Sequence, residues 1–264
     1  MLLNARVLEG PEEVNKHVVI LHGLFAASDN LLRLGKHLAE GYTVHLLDLR
    51  NHGNSFHVTD MNYLLMANDV NEYLTHQNIN SVALIGHSMG GKTAMQYALS
   101  YPDTVEALIV ADIAPVEYKP AHVQILKGLE YLANYPPANR QEADTALNKF
   151  VEDVGVRQFL IKNLKAVGEE SKKLGWRFNL NAIQSNYYNV LAAPVGEEFN
   201  GPTLFIAGAL SDYIAPEYRD ITTKLFPHAQ LKVIPDTSHW LHAEKPQVFN
   251  ALCERFLHKH FISQ

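Results

Sequence analysis

The chain has 264 residues, of which 47% are hydrophobic and 19% charged, with a formal net charge of -6. That composition belongs to a folded globular chain rather than a disordered one. A mildly acidic balance offers no basic footprint for nucleic acid, and no apolar run nears the roughly 18 residues of a membrane span. One cysteine, Cys253, allows no intrachain disulfide. The stretch MLLNARVLEGPEEVNKH lacks the basic start and apolar core of a signal peptide, so the expectation is a soluble, cytoplasmic protein.

Short apolar runs recur along the first half, each closed by turn residues. Residues 18–21 end at His22-Gly23, 43–49 at Arg50-Asn51-His52-Gly53, 82–85 at Gly86 and 107–110 at Ala111-Asp112. Strands apolar on both faces suit a buried parallel sheet covered by helices. Between them, Leu31, Leu34 and Leu38, then Tyr63, Met66, Val70 and Leu74, follow helical spacing, with Asp60 expected to cap the second helix. Such alternation predicts right-handed crossovers in an open twisted sheet.

From about 115 to 199 the strand pattern stops, and helical stretches at 123–132 and 141–151 take over. Strands resume at 203–207 and 231–234, and a last helix runs from Pro246 towards Phe261. Cys253 falls on that helix's apolar face, where a buried, inert thiol is expected. The organisation predicted is a core at 1–113 and 201–264, with a helical insertion at 114–200 over the sheet's carboxyl edge. The insertion's charges balance, so the core carries the whole -6. Lys162, Lys165, Lys172, Lys173 and Arg177 cluster loosely in it, the pattern of a solvated face, with an anionic substrate tail as the sharper alternative.

Gly86-His87-Ser88-Met89-Gly90-Gly91 follows one predicted strand and opens a helix carrying Thr93, Ala94, Tyr97 and Ala98. This is Gly-x-Ser-x-Gly in its strand–turn–helix setting, the nucleophile elbow of the α/β-hydrolase fold. So tight a turn excludes side chains at the positions flanking the serine, which is left projecting from the sheet edge. His22-Gly23-Leu24-Phe25 closes an earlier strand, where the backbone N–H of Leu24, with that of Met89, is expected to form an oxyanion hole. His22 itself reads as an orienting hydrogen-bonder. The base belongs after the last strand, in Ile234-Pro235-Asp236-Thr237-Ser238-His239-Trp240; His239 is favoured over His242. No His-Glu-x-x-His or cysteine cluster exists, so neither metal nor cofactor is expected. Two carboxylates compete to orient the base: Asp212, in the fold's commonest place after residues 203–207, and Asp112, after 107–110. The polar loop Asp48-Leu49-Arg50-Asn51-His52-Gly53-Asn54-Ser55 is expected to bond to itself and shape the pocket wall.

Asp48-x-Arg50-Asn51-His52-Gly53-x-Ser55, Gly86 to Lys92, Asp112-Ile113-Ala114-Pro115, Trp176-Arg177-Phe178-Asn179 and His239-Trp240-x-His242-Ala243-Glu244-Lys245-Pro246 together resemble the bacterial YbfF-type esterases, over nearly the whole chain. The resemblance implies a carboxylesterase or thioesterase of broad small-acyl specificity, a helical cap, and Asp112 as the acid. The reading is therefore a serine hydrolase of carboxylic esters or thioesters, acyl-CoA among them, acting through an acyl-enzyme on Ser88. Two rivals stand beside it: a non-hydrolytic enzyme of the same fold, a lyase or cofactor-free perhydrolase, and a binding protein that has lost turnover. A serine at 88 argues against dehalogenases of this fold, which need a carboxylate nucleophile. Oligomeric state leaves no mark in the sequence.

Overall fold

The structure, a computed structural model, describes residues 1–168 and 173–261. Its strands are β1 (Ala5–Leu8), β2 (His17–Leu21), β3 (Thr43–Leu47), β4 (Val82–His87), β5 (Val105–Ala111), β6 (Leu164–Ala166), β7 (Leu174–Trp176), β8 (Thr203–Gly208) and β9 (Ala229–Ile234). Seven of them form one sheet in the order β1-β3-β2-β4-β5-β8-β9, all neighbours parallel except β1 with β3. Alternate residues of β2 feed opposite faces: Val18 and Ile20 join one core, Val19 and Leu21 the other, and none is more than 1% exposed. Each such side chain stabilises the fold by roughly 1.5–3 kcal/mol relative to exposure.

Helices cover both faces. The first three are α1 (Leu32–Leu38), α2 (Tyr63–His76) and α3 (Met89–Ser100); α4 (Val123–Asn134), α5 (Arg140–Leu147), α6 (Val154–Lys162), α7 (Leu180–Ser185) and α8 (Tyr187–Leu191) fill the insertion. The chain closes with α9 (Arg219–Leu225), α10 (Leu241–Glu244) and α11 (Pro246–His260). Leu34 and Leu38 of α1 share a core with Phe249 and Cys253 of α11, while Met66, Val70 and Tyr97 of α2 and α3 lie in the other. Cys253 is fully buried, and burial pushes its thiol pKa far up.

Several local expectations need correction. Asn62, not Asp60, caps α2: its side chain accepts from the Leu65 N–H at 2.9 Å, because the helix starts at Tyr63, two residues later than a cap at Asp60 requires. Asp60 instead gives its backbone carbonyl to Arg50, at 2.8 Å. The strand predicted at 43–49 stops at Leu47, since the Leu49 amide donates to His22 Nε2 (3.0 Å) rather than to a strand. The helix predicted at 141–151 ends at Leu147. The insertion is not wholly helical, because β6 and β7 pair as an antiparallel hairpin within it. Short, partly exposed β1 carries no apolar run to announce it.

Of the many contacts that fix the insertion to the core, two matter most for the site. At one, the Asn179 backbone N–H donates to Asn51 O at 2.8 Å, and its side chain accepts from Ala182 N–H to cap α7. Neighbouring Phe178 stacks on Trp176, with ring centroids 5.0 Å apart, and meets Phe25 of the core at 5.4 Å. At the other, Lys92 of α3 donates to the carbonyls of Leu191 (2.8 Å) and Ala192 (2.6 Å). Its ammonium lies 4.6 Å from the Tyr118 ring centre, and burial lowers its pKa to about 7. The loosely clustered cations part company: Arg177 pairs with Asp29 at 2.9 Å, Lys165 lies in β6, Lys162 lines a groove, and Lys172 falls outside the described residues.

Candidate active site

Ser88 stands between β4 and α3 with φ 54° and ψ -119°, a conformation that L side chains avoid and that costs of order 1–3 kcal/mol unless surroundings enforce it. Here they do. A Cβ on Gly86 would lie 2.2 Å from Gly90 O, and one on Gly90 would lie 2.3 Å from Leu21 O. Neither position tolerates a side chain. A Cβ on Gly91 would meet the Ile113 side chain at 2.6 Å, which lets α3 press against the end of β5.

The turn after β2 comes into van der Waals reach of the serine: a Cβ on Gly23 would lie 3.4 Å from Ser88 Cβ. Two neutral histidines hold that turn. His22 donates from Nδ1 to Gly23 O (2.8 Å) while its Nε2 accepts from Leu49 N–H. His52 donates from Nδ1 to Arg50 O (2.9 Å) and accepts at Nε2 from Phe25 N–H (3.3 Å). Burial lowers both pKa values, that of His52 to about 3, and so keeps the accepting lone pairs free. Phe25 itself has φ 61°. Among the described residues, the backbone N–H groups of Leu24 and Met89 have no protein acceptor. Both residues border a cavity with Ser88.

The loop at 48–55 bonds to itself, as expected. Asp48 accepts from the amides of Ser28 (2.7 Å) and Asn54 (2.9 Å), and its backbone carbonyl accepts from Ser55 Oγ. Burial would raise the Asp48 pKa, but His22 and these amides outweigh it and hold the carboxylate below its usual range. Arg50 forms a buried fork with Asp69, Nε and Nη2 lying 2.5 and 2.7 Å from its two oxygens.

His239 sits in the loop between β9 and α10, its ring stacked on Tyr213 with centroids 4.2 Å apart. Its Nδ1 lies 2.8 Å from Asp112 Oδ2. Asp112, fully buried and with φ 50°, directly follows β5; its carboxylate also accepts from the Gly208 amide at 2.9 Å and from the Ser211 hydroxyl. A carboxylate only accepts, so His239 carries its proton on Nδ1 and leaves the Nε2 lone pair free. Ser88 and His239 line one cavity, where the serine hydroxyl has no protein partner among the described residues. Hydrogen bonds of such groups often tighten only when substrate binds.

Asp212 borders a groove and is not the partner of His239. The loop it belongs to serves the other carboxylate, through Gly208 and Ser211. His242 is also no partner of Asp112: burial and nearby His239 lower its pKa to about 4, and its Nδ1 is buried without a hydrogen bond. His87, inside the serine motif, donates from Nε2 to the backbone carbonyl of His239 at 2.9 Å. Burial, then the neighbouring histidines, lower its pKa well below the ordinary value. Sequence reasoning passed over the supporting residues Ser211, Tyr213 and Tyr118. Tyr118 accepts from Ala114 N–H (2.8 Å) and donates to the Tyr213 carbonyl. Only Ser211 carried a signal, as the neighbour of a candidate acid.

Three spaces meet here. An apolar cavity of about 260 Å³ runs from Ser88 between Leu24 and Phe25 of the core and Ile125, Phe159 and Leu160 of the insertion. A more polar one of about 660 Å³ lies on the other side, bordered by Lys92, Glu117, Tyr118 and Lys119. Beyond His239 a groove of about 1130 Å³ carries Asp29, Asp153, Asp212 and Glu244 against Arg140 and Lys162. Among the described residues, no three His, Cys, Asp or Glu side chains group as metal ligands, and no helix is long and apolar enough to cross a membrane.

Comparison with known proteins bears on the whole chain. Residues 16–246 match the family described as alpha/beta hydrolase fold. Esterase YbfF of Escherichia coli (strain K12) is 34% identical over 259 residues, covering 97% of this chain and 99% of that protein. The sn-1-specific diacylglycerol lipase ABHD11 of Mus musculus is 38% identical over 249 residues, covering 91% and 80%. A solved structure of a marine microorganism esterase superposes with TM-score 0.91 at 37% identity, covering 97% and 99%. With the family matched from β2 to the start of α11 and the elbow, sheet order and YbfF likeness all in agreement, the chain belongs to the α/β-hydrolase-fold family.

Proposed function

We propose that the protein is a serine esterase that hydrolyses carboxylic esters of small-molecule substrates through an acyl-enzyme. Ser88 Oγ attacks the ester carbonyl while His239 Nε2 takes its proton, and Asp112 holds the imidazole's tautomer and stabilises its cation. The Leu24 and Met89 amides bind the developing oxyanion; losing one such donor costs roughly 3–4 kcal/mol of transition-state stabilisation in characterised enzymes. Collapse breaks the ester C–O bond, and the leaving alcohol takes the proton from His239. Water, deprotonated by the same histidine, then attacks the acyl-enzyme and releases the acid.

One observation carries this reading: the Asp112–His239 bond frees Nε2 in the very cavity that Ser88 lines. The relatives named for esterase and lipase activity support ester substrates. The groove beyond His239 has four carboxylates to two cations, which weighs against a polyanionic CoA tail and favours esters over acyl-CoA. A cytoplasmic setting suits a chain whose one cysteine is a buried thiol.

The test is turnover of p-nitrophenyl acetate together with fluorophosphonate labelling. Wild type should release p-nitrophenol over many turnovers and be labelled at Ser88. Ser88→Ala should lose about 10⁴-fold or more in kcat and take no label. Labelling elsewhere or activity retained in the variant would refute the nucleophile, and binding without turnover would mark a protein that no longer catalyses.

A further inference from the structure

Of the insertion residues lining the apolar cavity beside Ser88 (Ala121, His122, Ile125, Val156, Phe159 and Leu160), His122 alone is polar. It also lines the second, polar cavity, so it stands where the two meet, as Ser88 does. Its protonation is set by its partner. The Tyr187 hydroxyl accepts the His122 backbone N–H at 3.0 Å and lies 2.8 Å from His122 Nδ1. The Ala121 amide also acts on that hydroxyl. A hydroxyl that already accepts has its own proton left to give, and Nδ1 is the acceptor within reach. The ring proton therefore sits on Nε2. Burial, reinforced by His239, lowers the His122 pKa to about 4, so the ring stays neutral at ordinary pH.

Nε2 has no protein partner among the described residues, yet it is not one of the sealed, unpaired side-chain atoms among them, Asn51 Nδ2, His242 Nδ1 and His260 Nε2. It is a fixed donor open to the cavity. A cavity-facing donor with no protein acceptor is free to exchange its water for a ligand oxygen. The acyl carbonyl is already assigned to the Leu24 and Met89 amides, and the acyl chain suits the apolar cavity. The remaining half of the substrate lies towards Lys92, Glu117, Tyr118 and Lys119.

We propose, resting on the esterase reading above, that His122 Nε2–H is a specificity contact for the alcohol half of the substrate. It binds an oxygen next to the scissile ester, so that the preferred substrates are acyl esters of polyhydric alcohols rather than of simple alkanols.

An isosteric pair tests this: 2-hydroxyethyl butyrate and propyl butyrate share an acyl group and differ by a terminal hydroxyl against a methyl. Wild type should favour the hydroxyethyl ester about tenfold in kcat/KM, the order of one hydrogen bond. His122→Leu should erase that preference by slowing the hydroxyethyl ester alone, with fluorophosphonate labelling of Ser88 retained. His122→Gln, which keeps an N–H, should restore most of it, and Tyr187→Phe, which frees the tautomer, should lose part. Were His122→Leu not to fold, Tyr187→Phe would read the same preference. No preference in wild type, or one that survives His122→Leu and Tyr187→Phe, would overturn the inference while the esterase reading stood. Absence of turnover on both esters with Ser88 unlabelled would overturn both.

Discussion

The two walls of the cavity over Ser88 are built on different principles. On the core side, backbone turns are held in conformations they would not adopt alone: Phe25, Ser88 and Asp112 all have φ between 50° and 61°. His22 and His52 tie backbone groups of Gly23 and Phe25, while His87 ties the His239 carbonyl and Asp112 the Gly208 amide. On the insertion side, helix faces contribute Ile125, Phe159 and Leu160, whose contacts are apolar and non-directional. One wall is fixed by directional bonds; the other, His122 apart, offers volume. A change in the first should act on rate, and a change in the second on which substrate fits.

The sharpest way to break that contrast is at the acid. Asp112→Asn removes the acceptor that fixes the His239 tautomer, and kcat should fall by up to about 10⁴-fold, as it does in a serine protease. Asp212→Asn, in the groove, should stay within a few fold of wild type. A large loss from Asp212→Asn instead would return the acid to its commoner place.

Acid should loosen the structure next. Burial, as the largest cause, lowers His52 to about 3 and His45, His122 and His242 to about 4, from an ordinary 6.5. A histidine held below its unfolded pKa binds its proton more readily when unfolded, so stability falls as pH drops from about 6.5 towards 4. With His22 and His87 lowered as well, these four imply that unfolding near pH 5 takes up at least about four protons, each worth about 1.4 kcal/mol per pH unit. Urea midpoints at pH 7, 6 and 5 measure it, and a flat series would show that these rings are not kept neutral by folding. Three of the four belong to the core, so His122→Gln should remove only about one proton of the dependence.

The smallest effect belongs to the apolar wall. Phe159, packed on Trp240 with centroids 4.3 Å apart, should matter to long acyl chains and not to short ones. Phe159→Ala should raise KM several-fold for p-nitrophenyl hexanoate, leaving kcat and the acetate ester nearly unchanged. Equal shifts for both chain lengths would mean that the insertion wall touches the chemistry after all.

The contrast also explains what the sequence made legible. The tight turn at Ser88 and the loop at 48–55 were readable because steric exclusion at Gly86 and Gly90, and local self-bonding around Asp48, leave their mark within a few residues. The carboxylate that meets His239 was not, since Asp112 is held in place by Gly208 and Ser211, about a hundred positions away. The hairpin β6–β7 was missed because three-residue strands, half exposed, show no periodicity. His122 gave no signal either: a histidine gains its donor role only when a tyrosine 65 residues on reaches its Nδ1.

The insertion leaves the sheet after β5 and re-enters at β8, and these strands are hydrogen-bonded neighbours, Leu108 beside Thr203 and Ala111 beside Ile206. For a chain whose ends are already pinned together, the entropy of closure grows only with the logarithm of its length. Doubling such a loop costs about 0.6 kcal/mol. Asp112 comes directly after the last paired residue before the departure, and its backbone N–H still bonds Ile206 O at 2.8 Å, so it is registered with the sheet and not with the insertion. As far as chain closure is concerned, the excursion can therefore lengthen or shrink at little entropic cost while Asp112 keeps its place in the sheet.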